Sequence, residues 1–102
     1  MKRAVMWSRD ALDDLKQQLS YISTEDPDAA RKIVAKLRHT GSQLADFATG
    51  LPGRVSGTYE KSVSRLPYII AYALTEHQGR EAVAILCVIH TSRDWDAESW
   101  PP

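Results

Sequence analysis

The sequence predicts an α+β domain with the order β-α-α-β-β-β, a helix hairpin packed on one face of a mostly antiparallel sheet. Three observations lead there. Two stretches carry apolar residues at helical spacing and only a few residues separate them. Three runs follow a glycine-punctuated loop, the last two rich in Ile, Val, Leu and Tyr. One short apolar run precedes the first helix, so the helix stripes have a sheet to cover.

Arg3 to Trp7, "RAVMW", reads as a strand with Val5 and Trp7 on one side. Ser8 ends it and suits a helix N-cap, with Asp10, Asp13 and Asp14 in the turns that favour negative charge. Leu12, Leu15, Leu19 and Ile22 then make one apolar stripe, ending near Ser23. Asp26 and Pro27 open a second helix, where the missing N–H of proline costs nothing at the first position. Its stripe is Ala30, Ile33, Val34, Leu37, Gly41 and Leu44. The short link makes the two helices an antiparallel hairpin. "ATGLPGRVSG" reads as a loop bearing Arg54. Strands are expected over Thr58 to Leu66, Tyr68 to Leu74 and Ala82 to His90, with "TEHQGRE" as a polar hairpin loop. A helix hairpin goes out and back, so the strand after it should run opposite to the first. With no third helix, the far sheet face should be open.

A chain of 102 residues is expected to form a single domain over 1–102, with a tail from about residue 94. No apolar run reaches membrane-spanning length, no export signal is visible, and one cysteine, Cys87, permits no internal disulfide; a cytoplasmic protein is the expectation. Thirteen Lys+Arg balance thirteen Asp+Glu. A globally basic RNA clamp is therefore excluded. From Arg54 to Arg93, however, Arg54, Lys61, Arg65, Arg80 and Arg93 outnumber Glu60, Glu76 and Glu81, which leaves room for a local basic face.

Alternation along the last strand puts His90 with Val88, Leu86 and Ala84, and Ile89, Cys87, Ile85 and Val83 on the other side. The branched set suits the core, so His90 is expected on the open face or its rim. Metal-independent RNA cleavage needs a base, an acid and a cation for the phosphorane charge. Glu60, Arg65, His90 and Arg93 are the residues that could fill those roles. The plainer reading makes His90 a strand-end histidine bonded to its neighbours, and Arg93 an ion-pair partner of Asp94 or Asp96. Tyr68 and Tyr72 could stack on bases, though alternating tyrosines more often pack. Trp95 and Trp100 could anchor the tail or enter a partner's groove. No histidine or cysteine spacing resembles a metal site, no phosphate-binding glycine loop is present, and no cofactor is expected.

Five segments in order resemble the RelE/ParE superfamily of bacterial toxins: "WSRDALDDL", "DPDAA", "PGRVSGTYEKSV", "LPYIIAYAL" and "AILCVIHTSRDW". The resemblance covers nearly the whole chain and implies the fold deduced above. It also implies a cognate antitoxin that wraps and neutralises the protein, as part of a toxin–antitoxin hetero-oligomer. "VIHTSRDW" and the "PGR…GT.E" loop are more similar to the ParE branch, whose members are thought to poison DNA gyrase, than to the ribosome-dependent mRNA nucleases of RelE type. Those nucleases are typically strongly basic, as this chain is not, and usually carry a C-terminal tyrosine or second histidine that it lacks. Many relatives have arginine where this chain has Tyr59 before Glu60.

The resemblance thus implies a type II toxin of plasmid-stabilisation type that binds gyrase, with a ribonuclease or a non-toxic partner-binding module as alternatives. Arg54, Arg65, His90, Arg93 and Trp95 are the expected target or antitoxin contacts. An acidic antitoxin segment is expected on the outer surface of the helix hairpin or on the sheet face rimmed by Arg54, Arg65 and Arg93.

Overall fold

A computed structural model describes residues 3–48, 50–53 and 55–91. The elements are β1 (Ala4–Trp7), α1 (Arg9–Ser23), α2 (Pro27–Gln43), β2 (Leu51–Pro52), β3 (Tyr59–Ser62), β4 (Tyr68–His77) and β5 (Arg80–His90). The five strands form one mixed sheet in the order β1-β5-β4-β3-β2. Only the β1–β5 pair is parallel. The α+β architecture and the helix hairpin are as the sequence predicts.

Both helices begin where side chains can satisfy orphan N–H groups. The Ser8 hydroxyl accepts from the Ala11 N–H at 3.1 Å, and the Asp26 carboxylate accepts from the Ala29 N–H at 3.1 Å. Ala11 and Leu15 of α1 and Ala30, Leu37 and Gly41 of α2 are buried. With Leu44, Tyr68, Ile70, Tyr72, Val83, Ile85 and Val88 most of these make the main core, and Val5 and Trp7 pack against it. Leu12 and Leu19, expected in the buried stripe of α1, are instead 40% and 38% exposed. Seven residues apart, they share a face turned one position away from Ala11 and Leu15. Smaller Ala11 meets the sheet in place of Leu12, which brings the helix closer and leaves both leucines at the surface.

Three further expectations are corrected. The loop after α2 contains β2, whose two residues pair antiparallel with Glu60 and Tyr59. That extra reversal makes β3 run in the same sense as β1, not opposite to it. The hairpin loop shrinks from "TEHQGRE" to two residues, because pairing continues to Glu76–Glu81 and His77–Arg80. Gln78 and Gly79 take φ of 53° and 76°, the double left-handed conformation of a type I′ turn whose twist suits long paired strands.

The third correction concerns the sheet faces. Ala71 pairs with Cys87 while Tyr72 pairs with Ile85, so Leu86 is an extra residue, a β-bulge in β5. Beyond it the alternation inverts. Val83, Ile85 and Val88 all belong to the helix-side core, whereas Cys87 and Ile89 face the other way with Ala71. His90 follows Val88 and therefore lies on the helix side. The far face is not open here either, since Ala71, Cys87 and Ile89 are at most 1% exposed, with Val55 and Ile69 packed against them.

Candidate functional site

Of the expected site residues, Arg54, Arg93 and Trp95 lie outside the described residues. Glu60, Arg65 and His90 can be placed. His90 ends β5 opposite Tyr68, with its ring edge-on to the phenol at a centroid distance of 5.1 Å. Tyr68 is buried, and its hydroxyl donates to Gln18 Oε1 of α1 at 2.7 Å. Burial raises the Tyr68 phenol above its ordinary value of 10.0. The group is thus a packed Gln18–Tyr68–His90 cluster joining α1 to the sheet, with the imidazole half-buried at its rim.

Arg65 lies in the turn between β3 and β4, exposed and with φ of 65°, a left-handed conformation uncommon for a side chain of its size. The turn stands at the same end of the sheet as His90, because the Thr91 N–H donates to the Pro67 carbonyl and the Val63 N–H to the Tyr68 carbonyl. Glu60 is elsewhere. It pairs with Ala71, which pairs with Cys87, so strand spacing puts it about 14 Å from His90. It also projects from the opposite face. Its neighbour Tyr59 stacks on Tyr72 at 5.5 Å, on the helix side, so Glu60 points away. The geometry brings Arg65 and His90 to one end and separates both from Glu60.

The "PGR…GT.E" segment is a tight turn. The Gly53 N–H donates to the Thr58 carbonyl at 2.8 Å, and the Thr58 hydroxyl and N–H both donate to the Val55 carbonyl. These bonds hold β2 against β3. Tyr68 and Tyr72 are packing residues, not stacking platforms: Tyr72 is fully buried and its hydroxyl accepts from the Gly50 N–H at 2.8 Å. Its phenol is raised, first by burial, against the lowering effect of the Gly50 bond.

Sequence reasoning missed the contacts that Ser8 and Asp14 make with β5. β1 stops at Trp7 opposite Ile85, which leaves the rest of that β5 edge without a strand among the described residues. The Ser8 hydroxyl donates to the Leu86 carbonyl at 2.9 Å, and the Val88 N–H donates to Asp14 Oδ2 at 2.9 Å. Helix α1 thus covers the edge with its side chains. An aspartate in the second turn reads from sequence as a partner for the helix dipole, so only the position of the bulge reveals this contact.

Several large apolar side chains are also accessible. Leu12, Leu19 and Tyr21 of α1 are exposed, Tyr21 by 79%. Phe47 and Leu51 are 72% and 75% exposed beside β2, where Gln43, Leu44, Asp46, Phe47 and Lys61 line a cleft of about 350 Å³.

Comparison with known proteins agrees with this geometry. A family described as "ParE toxin of type II toxin-antitoxin system, parDE" matches residues 5–95. A curated Sinorhizobium fredii protein named "Putative toxin Y4kP" is 35% identical over 95 residues, covering 92% of this chain and 94% of that protein. A solved structure titled "Chromosomal ParDE TA system from P. aeruginosa" superposes with a TM-score of 0.75 over 87% of this chain and 96% of the other, at 22% identity, which establishes a shared fold. With the match running from β1 past the end of β5, the chain belongs to the ParE toxin family of type II toxin–antitoxin systems.

Proposed function

We propose that this ParE-family protein arrests growth by binding DNA gyrase and stalling it, without chemistry of its own, and that a cognate antitoxin neutralises it. One observation counts against a Glu60–His90 acid–base pair and so favours binding over that form of cleavage. Glu60 and His90 stand on opposite faces of the sheet, about 14 Å apart by strand spacing, so they cannot share a scissile phosphate as acid and base. His90 is instead packed against Tyr68. The exposed side chains of α1 and of the β2 region offer apolar anchors of the kind that protein partners use. Arg65, at the exposed turn, is the described cation nearest this role; Arg54, Arg93 and Trp95 join it on the sequence reading alone.

The test is direct. Purified toxin should inhibit gyrase supercoiling in a dose-dependent way and leave ribosome-bound mRNA intact. His90→Ala should keep at least part of its toxicity on induction, because no proton transfer depends on the imidazole in this reading, while Arg93→Glu should reduce it. Cleavage of mRNA on ribosomes, abolished about a hundredfold or more by a folded His90→Ala variant, would replace this reading with a ribonuclease.

A further inference from the structure

The charge of this chain is balanced in total but not in space. Helix α2 carries Arg31, Lys32, Lys36 and Arg38 against one acid, Asp28, in a chain of net charge zero. At 100° per residue, Arg38, Arg31, Ser42, Ala35, Asp28, His39 and Lys32 fall within about 120° of one face, with Lys36 on its flank. Every one of those seven residues is exposed. The opposite side, with Ala30, Leu37 and Gly41, is the buried one. Arg31 has a loose contact with Asp28 at 3.7 Å, both largely in solvent. Lys32, Arg38 and His39 have no side-chain hydrogen bond or ion pair among the described residues.

We infer that this face of α2 is a docking surface for the phosphate backbone of duplex DNA. The chemistry of the stripe selects a polyanion. Ala35 and Ser42, small residues near its midline, let a phosphate chain approach the helix closely, while Asp28, also near the midline, sits at the N-terminal end beside Arg31. The stripe has no aromatic or large apolar residue, so a protein partner would find no anchor there. The anchors of this hairpin are on α1, as Leu12, Leu19 and Tyr21. Arg31 and Arg38 stand about 10 Å apart along the axis, with Lys32 and His39 beside them, so three or four phosphates can be met at once. The choice of duplex DNA rests on the gyrase reading: a protein that stalls a topoisomerase works beside a DNA segment that the enzyme holds.

The experiment measures DNA binding without gyrase, so that it stands apart from the proposed target. Full-length toxin is titrated into labelled duplex DNA of about 30 base pairs and mixed sequence, with anisotropy read at several salt concentrations. The expected result is weak binding whose logarithm falls against the logarithm of salt with a slope of about −3. Lys32→Glu with Arg38→Glu should weaken binding at least tenfold at low salt and flatten the slope by about two. Arg9→Glu, a charge reversal on an exposed residue of the other helix, should change it far less. Circular dichroism and thermal melting confirm that the variants fold. No salt-dependent binding, or equal loss with Arg9→Glu, overturns the inference. Tighter binding to an RNA duplex of the same length overturns the assignment to DNA. If binding behaves as expected while gyrase is unaffected, the target reading fails and the α2 surface stands.

Discussion

Asp14 takes up part of the β5 edge that β1 leaves unpaired. Its carboxylate takes the Val88 N–H that β1, ending at Trp7, cannot reach. Asp14→Ala should therefore leave a backbone donor unsatisfied in a partly buried site and cost about 1–3 kcal/mol. Chemical denaturation of the two proteins measures it, and a loss below about 0.5 kcal/mol would mean that water reaches Val88. The two buried phenols make a second prediction. Tyr68 and Tyr72 are raised in the folded protein, chiefly by burial, so their neutral forms are favoured there. Their contribution to stability is fully present below the ordinary tyrosine value of about 10 and is lost as pH rises through the folded values. Denaturation midpoints should stay level toward pH 10 and fall beyond it, less steeply in Tyr68→Phe. An equally steep fall in Tyr68→Phe would assign the alkaline loss to other groups.

At the scale of elements, the sequence shows most of what repeats and little of what breaks a repeat. The N-caps at Ser8 and Asp26, the α2 stripe and the strand pair joined by Gly79 all follow from local spacing and turn chemistry. The bulge at Leu86 does not, because β5 is apolar on both faces and a one-residue slip leaves its pattern unchanged. That single residue moved His90 from the expected far face to the helix side and separated it from Glu60. The two-residue β2 was hidden for a different reason: Leu51 and Pro52 are too few to show a period, and Pro52 argues against a strand except at an edge, where β2 lies. Gly41 illustrates the legible kind of constraint carried into packing. A Cβ there would stand 2.5 Å from the Trp7 ring and 3.0 Å from Ile85 Cδ1, so the helix crosses β1 and β5 at glycine distance. Gly41→Val should cost about 1–3 kcal/mol or more through overpacking, read as a lower thermal midpoint with unchanged helix content. A neutral Gly41→Val would show that Trp7 can turn aside freely.

Taken as a whole, the molecule divides its two helices between different kinds of surface. Helix α1 shows leucines and a tyrosine, and helix α2 shows arginines and lysines. An antitoxin that wraps the hairpin needs apolar area for affinity, since exposed ion pairs contribute little once screened by salt. The complex should accordingly depend on α1 more than on α2. Leu12→Asp with Leu19→Asp changes two side chains that are already 40% and 38% exposed, so the fold should survive with a midpoint within a few degrees of the parent. Losing two partly buried leucine contacts and placing carboxylates there should weaken antitoxin binding by at least tenfold. Lys32→Glu with Arg38→Glu should weaken it less, and mostly at low salt. Calorimetric titration of each folded variant with the cognate antitoxin decides the matter, with hydrogen exchange of α1 and α2 in the complex as the spatial check. Protection concentrated on Arg31 to His39, together with full affinity in the leucine double variant, would reverse the division and assign the antitoxin to the charged helix.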